Sequence, residues 1–415
     1  LSKITDGLLQ VARSVEAGER DQAVERLDSL AERHVAIASR VTRGARQTEV
    51  ARDLRTEFTA IAEMVKALAP LKELSPSLLD AIAATGELAS SRLMTAALAE
   101  AGVPAVWVDS RQVVVTDAEH TAATPDMEAT CARSQQRIAP LVARGNVPVL
   151  GGFIAATSEG VTTTLGRGGS DYSAAIFGAC LGVSEIQIWT DVDGMLTADP
   201  RIVPKPRLVP RLSFAEASEL AYFGAKVLHP STILPAMSKN IPVSILNSRQ
   251  PENPGTLITA EPQAASGQLT AIACKHDVTV IDITSTRMFM VHGFLRRVFE
   301  VFERFKTPVD VVTTSEVSVS VTIDDARRID GLVDGLRGFA DVECEGNMAI
   351  ICAVGEDVHE DPTAFGRAIS ALGSIPLRMV SQAASRRNIT FVLRDADAPQ
   401  AMMQLHEAFF ERVKS

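Results

Sequence analysis

Residues 162–171 read Thr-Thr-Thr-Leu-Gly-Arg-Gly-Gly-Ser-Asp, which places glycine-flanked amides, a guanidinium and a carboxylate in one tight turn. Gly166, Gly168 and Gly169 tolerate backbone angles closed to other residues and let a ligand approach the main chain. Consecutive N–H groups in such a turn form an anion-binding nest. The stretch 170–181 that follows has a helical pattern, so the positive end of its dipole points at the same anion. Arg167 offers a planar fork suited to a carboxylate or phosphate. Asp171 can orient Mg²⁺ or neighbouring donors. The competing reading is a polar glycine-rich turn that only connects two elements, and the rest of the chain has to decide between them.

At 415 residues the chain has room for two or three domains, each with its own core. With 46% hydrophobic and 22% charged residues it is an ordinary globular sequence, and a net charge of −10 without a basic stripe argues against a nucleic-acid surface. No apolar run reaches the roughly 18 residues of a membrane helix and no leader pattern opens the chain, although it begins at Leu1 rather than at methionine. The cysteines Cys131, Cys180, Cys274, Cys344 and Cys352 show neither metal-ligand nor paired spacing. In a chain this large that predicts free thiols and a reducing, cytoplasmic compartment.

Apolar residues at helical spacing over 21–38 predict an amphipathic helix. Another is expected to begin near Gly86 with Thr85 as its cap and to end at Gly102. Strand patterns at 105–108, 147–154, 186–190 and 243–246 alternate with helical ones, so the first 260 or so residues read as α/β with a largely parallel sheet. Ligand chemistry then belongs at the carboxyl ends of those strands, where Phe153, Thr190 and Asp191 lie. A Pro- and Gly-rich segment at 251–267 marks a boundary. Beyond it, strands at 278–283, 309–312, 317–323 and 348–353 flank helices at 294–305 and 328–339. A similar order returns with helices at 365–372 and 398–410 and strands at 377–382 and 388–393, which reads as two α+β units in tandem.

Thr190-Asp191-Val192-Asp193-Gly194 emerges from an apolar strand with a hydroxyl and two carboxylates that suit a ribose or a magnesium-bound phosphate; an Asp-Gly turn closed by Asx bonds is the plainer alternative. Arg201 and Lys226, each beside a Pro- or Gly-fixed backbone, can clamp a phosphate chain or can be solvated surface charges. Glu87 can receive a substrate ammonium or simply complement a helix dipole. His229 has no triad partner nearby and reads as structural. The helix 294–305 carries a core stripe, and the free amides at its start can hold a carboxylate.

With Gly-Arg-Gly-Gly-Ser-Asp, Thr-Asp-Val-Asp-Gly, Thr-Ala-Asp-Pro-Arg and Gly-Ala-Lys-Val-Leu-His-Pro in this order, and Thr-Thr-Ser-Glu-Val-Ser-Val-Ser after the boundary, the whole chain resembles an aspartate kinase of the lysine-sensitive kind. The resemblance implies an amino-acid-kinase fold with a largely parallel sheet over 1–262, followed by two ferredoxin-like α+β ACT domains at 263–342 and 343–415. It implies ATP with Mg²⁺ as phosphoryl donor and L-aspartate as acceptor. Aspartate would be held by Thr5, Glu87, Phe153, Arg167, Gly168, Gly169 and Ser170, with Arg167 on the α-carboxylate, Glu87 on the α-amino group and Asp171 organising the phosphoryl site. ATP would meet Thr190, Asp191, Asp193, Arg201, Lys226 and Val227. An effector, L-lysine, would lie among Met288, Val291, Phe294, Leu295, Pro308, Val309, Asp310, Ser315 and Glu316, and pairing of ACT domains would make a homodimer.

Three positions depart from the family pattern. The family's Lys-Phe-Gly-Gly-Thr-Ser loop has no counterpart, and Leu1 lines up shortly after the strand that follows it, so the chain as given is expected to lack part of the active site. Leu196 stands where a tyrosine is common. Val291 and Pro308 replace hydroxyl-bearing residues of the lysine-sensitive pattern. A kinase acting on another acidic amino acid, and a noncatalytic amino-acid sensor, are the alternative readings.

Overall fold

Four helices open the chain: α1 (Ile4–Glu16), α2 (Arg20–Val41), α3 (Gly44–Leu68) and α4 (Pro76–Glu100). Their apolar residues recur at three- and four-residue spacing, as in Leu54, Phe58, Ile61 and Val65 of α3 or Ile82, Ala89, Leu93 and Ala96 of α4, and these stripes face one another in a common buried core. The sequence pattern marks α2, leaves α1 and α3 unread, and starts α4 too late. Ser75 caps α4 by accepting from the Leu78 amide at 3.2 Å, with Pro76 at the first helical position. Thr85 is therefore no cap; it lies mid-helix and its hydroxyl donates to the Ala81 carbonyl at 3.1 Å. Gly86 is a packing residue instead of a helix start, because a Cβ there would sit 3.0 Å from Leu8 Cδ1 and 3.1 Å from Ile4 Cγ2. The missing side chain lets α1 lie close against α4.

The computed structural model describes residues 1, 3–224, 230–261, 267–285, 293–382 and 386–411. These form two compact units, residues 1–188 with 231–243 and residues 189–230 with 244–415. In the first unit the helical layer is followed by β1 (Ala105–Val108), β2 (Val115–Thr116), α5 (Met127–Arg137), α6 (Ala139–Ala143), β3 (Val147–Leu150), β4 (Ile154–Thr157), β5 (Thr162–Thr164) and α7 (Gly169–Leu181). The pairs β1–β3 and β2–β4 are parallel, as expected, while β4–β5 is an antiparallel hairpin. The strand expected over 147–154 is broken in two: Gly151-Gly152-Phe153 forms a corner in which Phe153 has φ 69°.

One cysteine expectation is overturned. Cys131 on α5 and Cys180 on α7 form a disulfide, with 49 residues between them in sequence. The two helices meet over Ile176, Phe177 and Tyr172, so the pairing is set by tertiary packing, which sequence spacing does not reveal. The argument from free thiols to a reducing compartment loses its basis.

The chain continues through β6 (Ile186–Thr190), β7 (Arg211–Ser213), α8 (Phe214–Tyr222), α9 (Pro230–Ser238), β8 (Val243–Asn247) and β9 (Thr256–Thr259), with strand order β6-β8-β9-β7. A capping box between Ser213 and Glu216 starts α8. In the second unit there follow β10 (Leu269–Thr284), α10 (Phe294–Arg304), β11 (Val312–Thr314), β12 (Ser318–Ile323), α11 (Ile329–Arg337), β13 (Asp341–Gly355), α12 (Ala364–Leu372), β14 (Met379–Ser381), β15 (Asn388–Arg394) and α13 (Ala398–His406). The element order matches the sequence reading, but the strands join one sheet, β11-β12-β10-β13-β15-β14. β10 and β13 run through both halves of it, kinked where the register shifts between Lys275 and Val280 and where Asp277 (φ 58°) and Asn347 (φ 56°) take left-handed backbone. On one side of the kink, Ile281 and Ile283 pack with α10 and α11. On the other, Ile272 and Ile351 pack with α12 and α13. The last helix stops at His406 and gives way to a π turn over Glu407–Glu411.

The helical layer of the first unit yields a direct test. Leu54, fully buried in that core, is expected to cost about 2–5 kcal/mol of unfolding free energy as Leu54→Ala, read from urea unfolding of the two proteins.

Candidate functional site

Thr5, Glu87, Phe153 and the turn Gly166–Asp171 come together in the first unit around a cavity of about 250 Å³. Each arrives for a local reason. Thr5 is carried to Glu87 by the close α1–α4 contact at Gly86. Glu87 projects from the middle of α4, so it is not a dipole-complementing first-turn residue and that alternative falls. The corner at Gly151-Gly152-Phe153 threads between α4 and α7. A Cβ on Gly151 would stand 3.1 Å from the Glu87 carbonyl, and one on Gly152 would stand 3.0 Å from Ser170 Cα. The Phe153 amide donates to the Gly169 carbonyl at 3.2 Å and to Ser173 Oγ at 2.9 Å. Gly168, with φ 72°, precedes the first residue of α7, a conformation that favours glycine. The Gly169 amide is taken up by the Gly166 carbonyl at 3.1 Å, which leaves the next amides of the helix start, Ser170 and Asp171, for a ligand.

A buried carboxylate that the sequence analysis overlooked braces this turn. Asp80, 1% exposed on α4, accepts from Thr164 Oγ1 at 2.6 Å and from the Thr121 amide at 3.0 and 3.1 Å, and His120 Nδ1 lies 2.7 Å away. Thr164 ends β5 two residues before Gly166. Asp80 thus ties α4, the loop at 120–121 and the strand that feeds the turn to one point. Gly151 and Gly152 were also missed, although two glycines closing an apolar strand are a legible sign of close backbone approach. Asp80 left only the weaker sign of a lone acid inside an apolar helical run.

Two carboxyl groups, those of Glu87 and Asp171, line the cavity. Burial pushes the carboxyl of Glu87 above the usual glutamate range, and burial likewise raises Asp171. Arg167 is exposed and, among the described residues, has no hydrogen-bond or ion-pair partner. At Glu87 the chain's amino terminus and a hydrogen bond from Ser90 oppose that rise, and the Arg167 guanidinium, exposed on the turn, is not among the residues that line the cavity.

The residues expected to meet a nucleotide lie in the second unit. The Thr190 carbonyl accepts from Ser248 at 2.8 Å from the amide and 2.9 Å from the hydroxyl. Asp191 is exposed, with Arg249 at 3.8 Å. Asp193 accepts from Asn247 Nδ2 at 2.6 Å, a contact between the turn and the end of β8 and not a local Asx bond. Arg201 is exposed and forks onto Asp199, its Nε 2.9 and 3.1 Å from the two carboxylate oxygens. It borders an apolar cavity of about 290 Å³ formed with Leu196, Pro200, Leu220, Cys274 and Met402. Lys226, Val227 and His229 lie outside the described residues.

Met288 and Val291 of the expected effector site also lie outside the described residues. Phe294 is a core residue, whereas Leu295, Pro308, Ser315 and Glu316 are exposed. The Val309 carbonyl accepts from Tyr222 Oη at 3.1 Å. Asp310 is nearly buried, receives Lys275 Nζ at 2.8 Å and keeps its other oxygen unpartnered. Burial raises its pKa against the opposing pull of Lys275.

Two family profiles match this layout. The amino acid kinase family profile covers residues 2–247 and an ACT domain profile covers 351–409, so the class is an amino acid kinase joined to an ACT region, in agreement with the fold expected from the sequence. Lysine-sensitive aspartokinase 3 of Escherichia coli is 35% identical over 418 residues, spanning 98% of this chain and 90% of its own. Aspartokinase 2, chloroplastic, of Arabidopsis thaliana is 36% identical over 428 residues, spanning 99% and 77%. The crystal structure of E. coli aspartokinase III with aspartate and ADP superposes with a TM-score of 0.85 at 34% identity, covering 99% of this chain and 91% of that one. The chain belongs to the aspartokinase family.

Burial of Glu87 carries a pH signature. A carboxyl whose folded pKa is raised favours folding while protonated, and that contribution is lost as pH rises through the folded value. Glu87→Gln is therefore expected to raise the Tm of the ligand-free protein at pH 7 and to leave it unchanged below about pH 4, under the ordinary glutamate value. Scanning calorimetry at both pH values reads the difference.

Proposed function

We propose that the first-unit cavity seats L-aspartate and that the enzyme transfers the γ-phosphoryl group of ATP to its β-carboxylate, under feedback inhibition by L-lysine through the ACT region. The observation that carries this reading is the convergence of Thr5, Glu87, Phe153 and the glycine turn, from four separate stretches of chain, on one small cavity, where burial raises the pKa of Glu87, with Arg167 exposed on the same turn. In this reading Glu87 takes the α-ammonium, whose arrival offsets the cost of keeping that carboxylate ionised in a buried place. Arg167 takes the α-carboxylate. The β-carboxylate is left pointing at the start of α7.

An aspartate carboxylate is already ionised at neutral pH, so the chain needs no general base, and no histidine or cysteine of the cavity is asked to act as one. What opposes the reaction is the approach of two anions. The Ser170 and Asp171 amides and the positive end of the α7 dipole reduce that repulsion at the acceptor, and the rigid Asp80-braced turn holds the nucleophilic oxygen in line. Among the described residues no group of three carboxylate, histidine or cysteine side chains forms a metal cage. That suits Mg²⁺ carried on phosphate oxygens with a single carboxylate such as Asp171 beside it, where the ion supplies charge neutralisation. Thr190, Asp191, Asp193 and Arg201, with Lys226 and Val227, are assigned to ATP, the apolar cavity beside Arg201 being the place for its base.

Pairing of two copies through the ACT region is supported by the outward apolar residues Leu295 and Phe299 of α10, which a monomer would leave in water.

Arg167→Ala is expected to raise the aspartate KM about 100-fold, the cost of two charge-assisted hydrogen bonds, while the ATP KM stays put; an unchanged aspartate KM refutes the assignment. Glutamate and N-acetylglutamate are expected to be poor acceptors in the same assay. Saturating lysine should weaken the enzyme's hold on substrate by about 5- to 150-fold, the usual range of coupling between sites, and a flat titration removes the regulatory half of the reading.

A further inference from the structure

In the second unit Thr197 is a four-way junction. Its amide donates to the Arg207 carbonyl at 2.9 Å, its carbonyl accepts from the Ile272 amide of β10 at 2.8 Å, and its hydroxyl accepts from the Arg207 amide at 2.9 Å. The fourth contact is to the far end of the chain: Thr197 Oγ1 and His406 Nε2 are 2.9 Å apart, across 209 residues of sequence. Both side chains are buried, His406 to 1% exposure. Oγ1 already accepts from Arg207, so the arrangement that uses its hydrogen has the hydroxyl donating to an unprotonated Nε2. The imidazole proton then sits on Nδ1, which lies 3.3 Å from Glu411 Oε1 but makes no well-formed hydrogen bond among the described residues. Burial lowers the His406 pKa, with Glu411 opposing, in keeping with a neutral ring.

The surroundings lock this contact in place. The ring of His406 packs on Phe410 at 4.9 Å between centroids, and the Phe410 carbonyl accepts from the Arg207 guanidinium. The π turn at Glu407–Glu411 is what brings Phe410 back to that position. Met402 precedes His406 by one helical turn on the same face of α13, and it forms part of the apolar cavity that Arg201 borders. Thr197 in turn begins the segment Thr197-Ala198-Asp199-Pro200-Arg201. One face of α13 therefore supplies both a wall of the cavity and the peg that holds the segment along its rim.

We propose that His406 is a positioning residue for the nucleotide: by holding Thr197 it fixes the turn that presents Arg201, so that the last helix of the ACT region forms the back of the ATP seat. The inference rests on the assignment of Arg201 to ATP. It gives the regulatory end of the chain a direct grip on nucleotide affinity, independent of the aspartate cavity in the other unit.

The test is calorimetric titration of ATP–Mg²⁺ and of L-aspartate into the whole chain and its variants, each checked for native circular dichroism. His406→Leu and Thr197→Val should each weaken ATP about three- to tenfold, the worth of one hydrogen bond, and leave aspartate unaltered. The double variant should be no weaker than either single one, because both remove the same contact. Thr197→Ser and His406→Gln, which keep a hydroxyl and an acceptor, should restore ATP affinity to within about twofold. A merely structural contact would lower Tm without this split between ligands or this rescue. If Arg201→Ala weakens ATP while Thr197→Val and His406→Leu, both folded, do not, the positioning role is overturned and the nucleotide assignment stands. If Arg201→Ala also binds ATP normally, the assignment fails and takes the proposal with it. Should His406→Leu not fold, the two Thr197 variants decide.

Discussion

A single buried carboxylate organises the glycine-turn end of the first unit. Asp80 is cut off from water and can exist there only because every direction around it offers a donor: a threonine hydroxyl, a backbone amide and an imidazole. Those donors belong to two stretches of chain remote from α4, the loop at 120–121 and the end of β5, so satisfying the carboxylate and aligning the glycine turn are the same event. The demand is strict because a buried acceptor left unpaired is costly. Helix α4 gains a second function from it: the helix that carries Asp80 also carries Glu87, so ligand contact and brace are fixed to one rigid rod.

The site was legible in the sequence where its chemistry depends on local pattern. The glycine turn with Arg167 and Asp171, the strand ends at Phe153 and Thr190, and the helix and strand order of the ACT region all follow from residue spacing over short windows. What escaped was set by distant contacts. Gly86 looked like a helix start because glycine usually breaks helices, whereas here it makes room for Ile4 and Leu8. Asp80 went unread, since its partners are about 40 and 84 residues away. The Cys131–Cys180 bond and the Thr197–His406 junction have the same origin, in packing between elements that no local motif connects.

The two ligand-facing regions are built on opposite principles. In the first-unit cavity Glu87 is held in a place that disfavours its ionised form, and Arg167 stands exposed on the neighbouring turn. Around Arg201 the charges are already matched, with Asp199 occupying the guanidinium fork, and the neighbouring cavity is apolar. A small zwitterion is best recognised by groups waiting for its charges, whereas a flat aromatic base needs a dry surface and a bounded edge. The Asp199 contact also fixes the direction of Arg201, so that in the proposed ATP seat little freedom would be lost on binding a phosphate.

The six-stranded sheet of the second unit has one further consequence. Because β10 and β13 run unbroken from one hydrophobic core into the other, with only a kink at Asp277 and Asn347 between them, the two lobes share the same planks. A cut through that kink would sever both strands, leaving 280–284 of β10 paired with 341–345 of β13 in one lobe and 269–275 paired with 350–355 in the other. A twist imposed on either half has no flexible joint in which to dissipate, so it must reappear in the other as a change in sheet curvature.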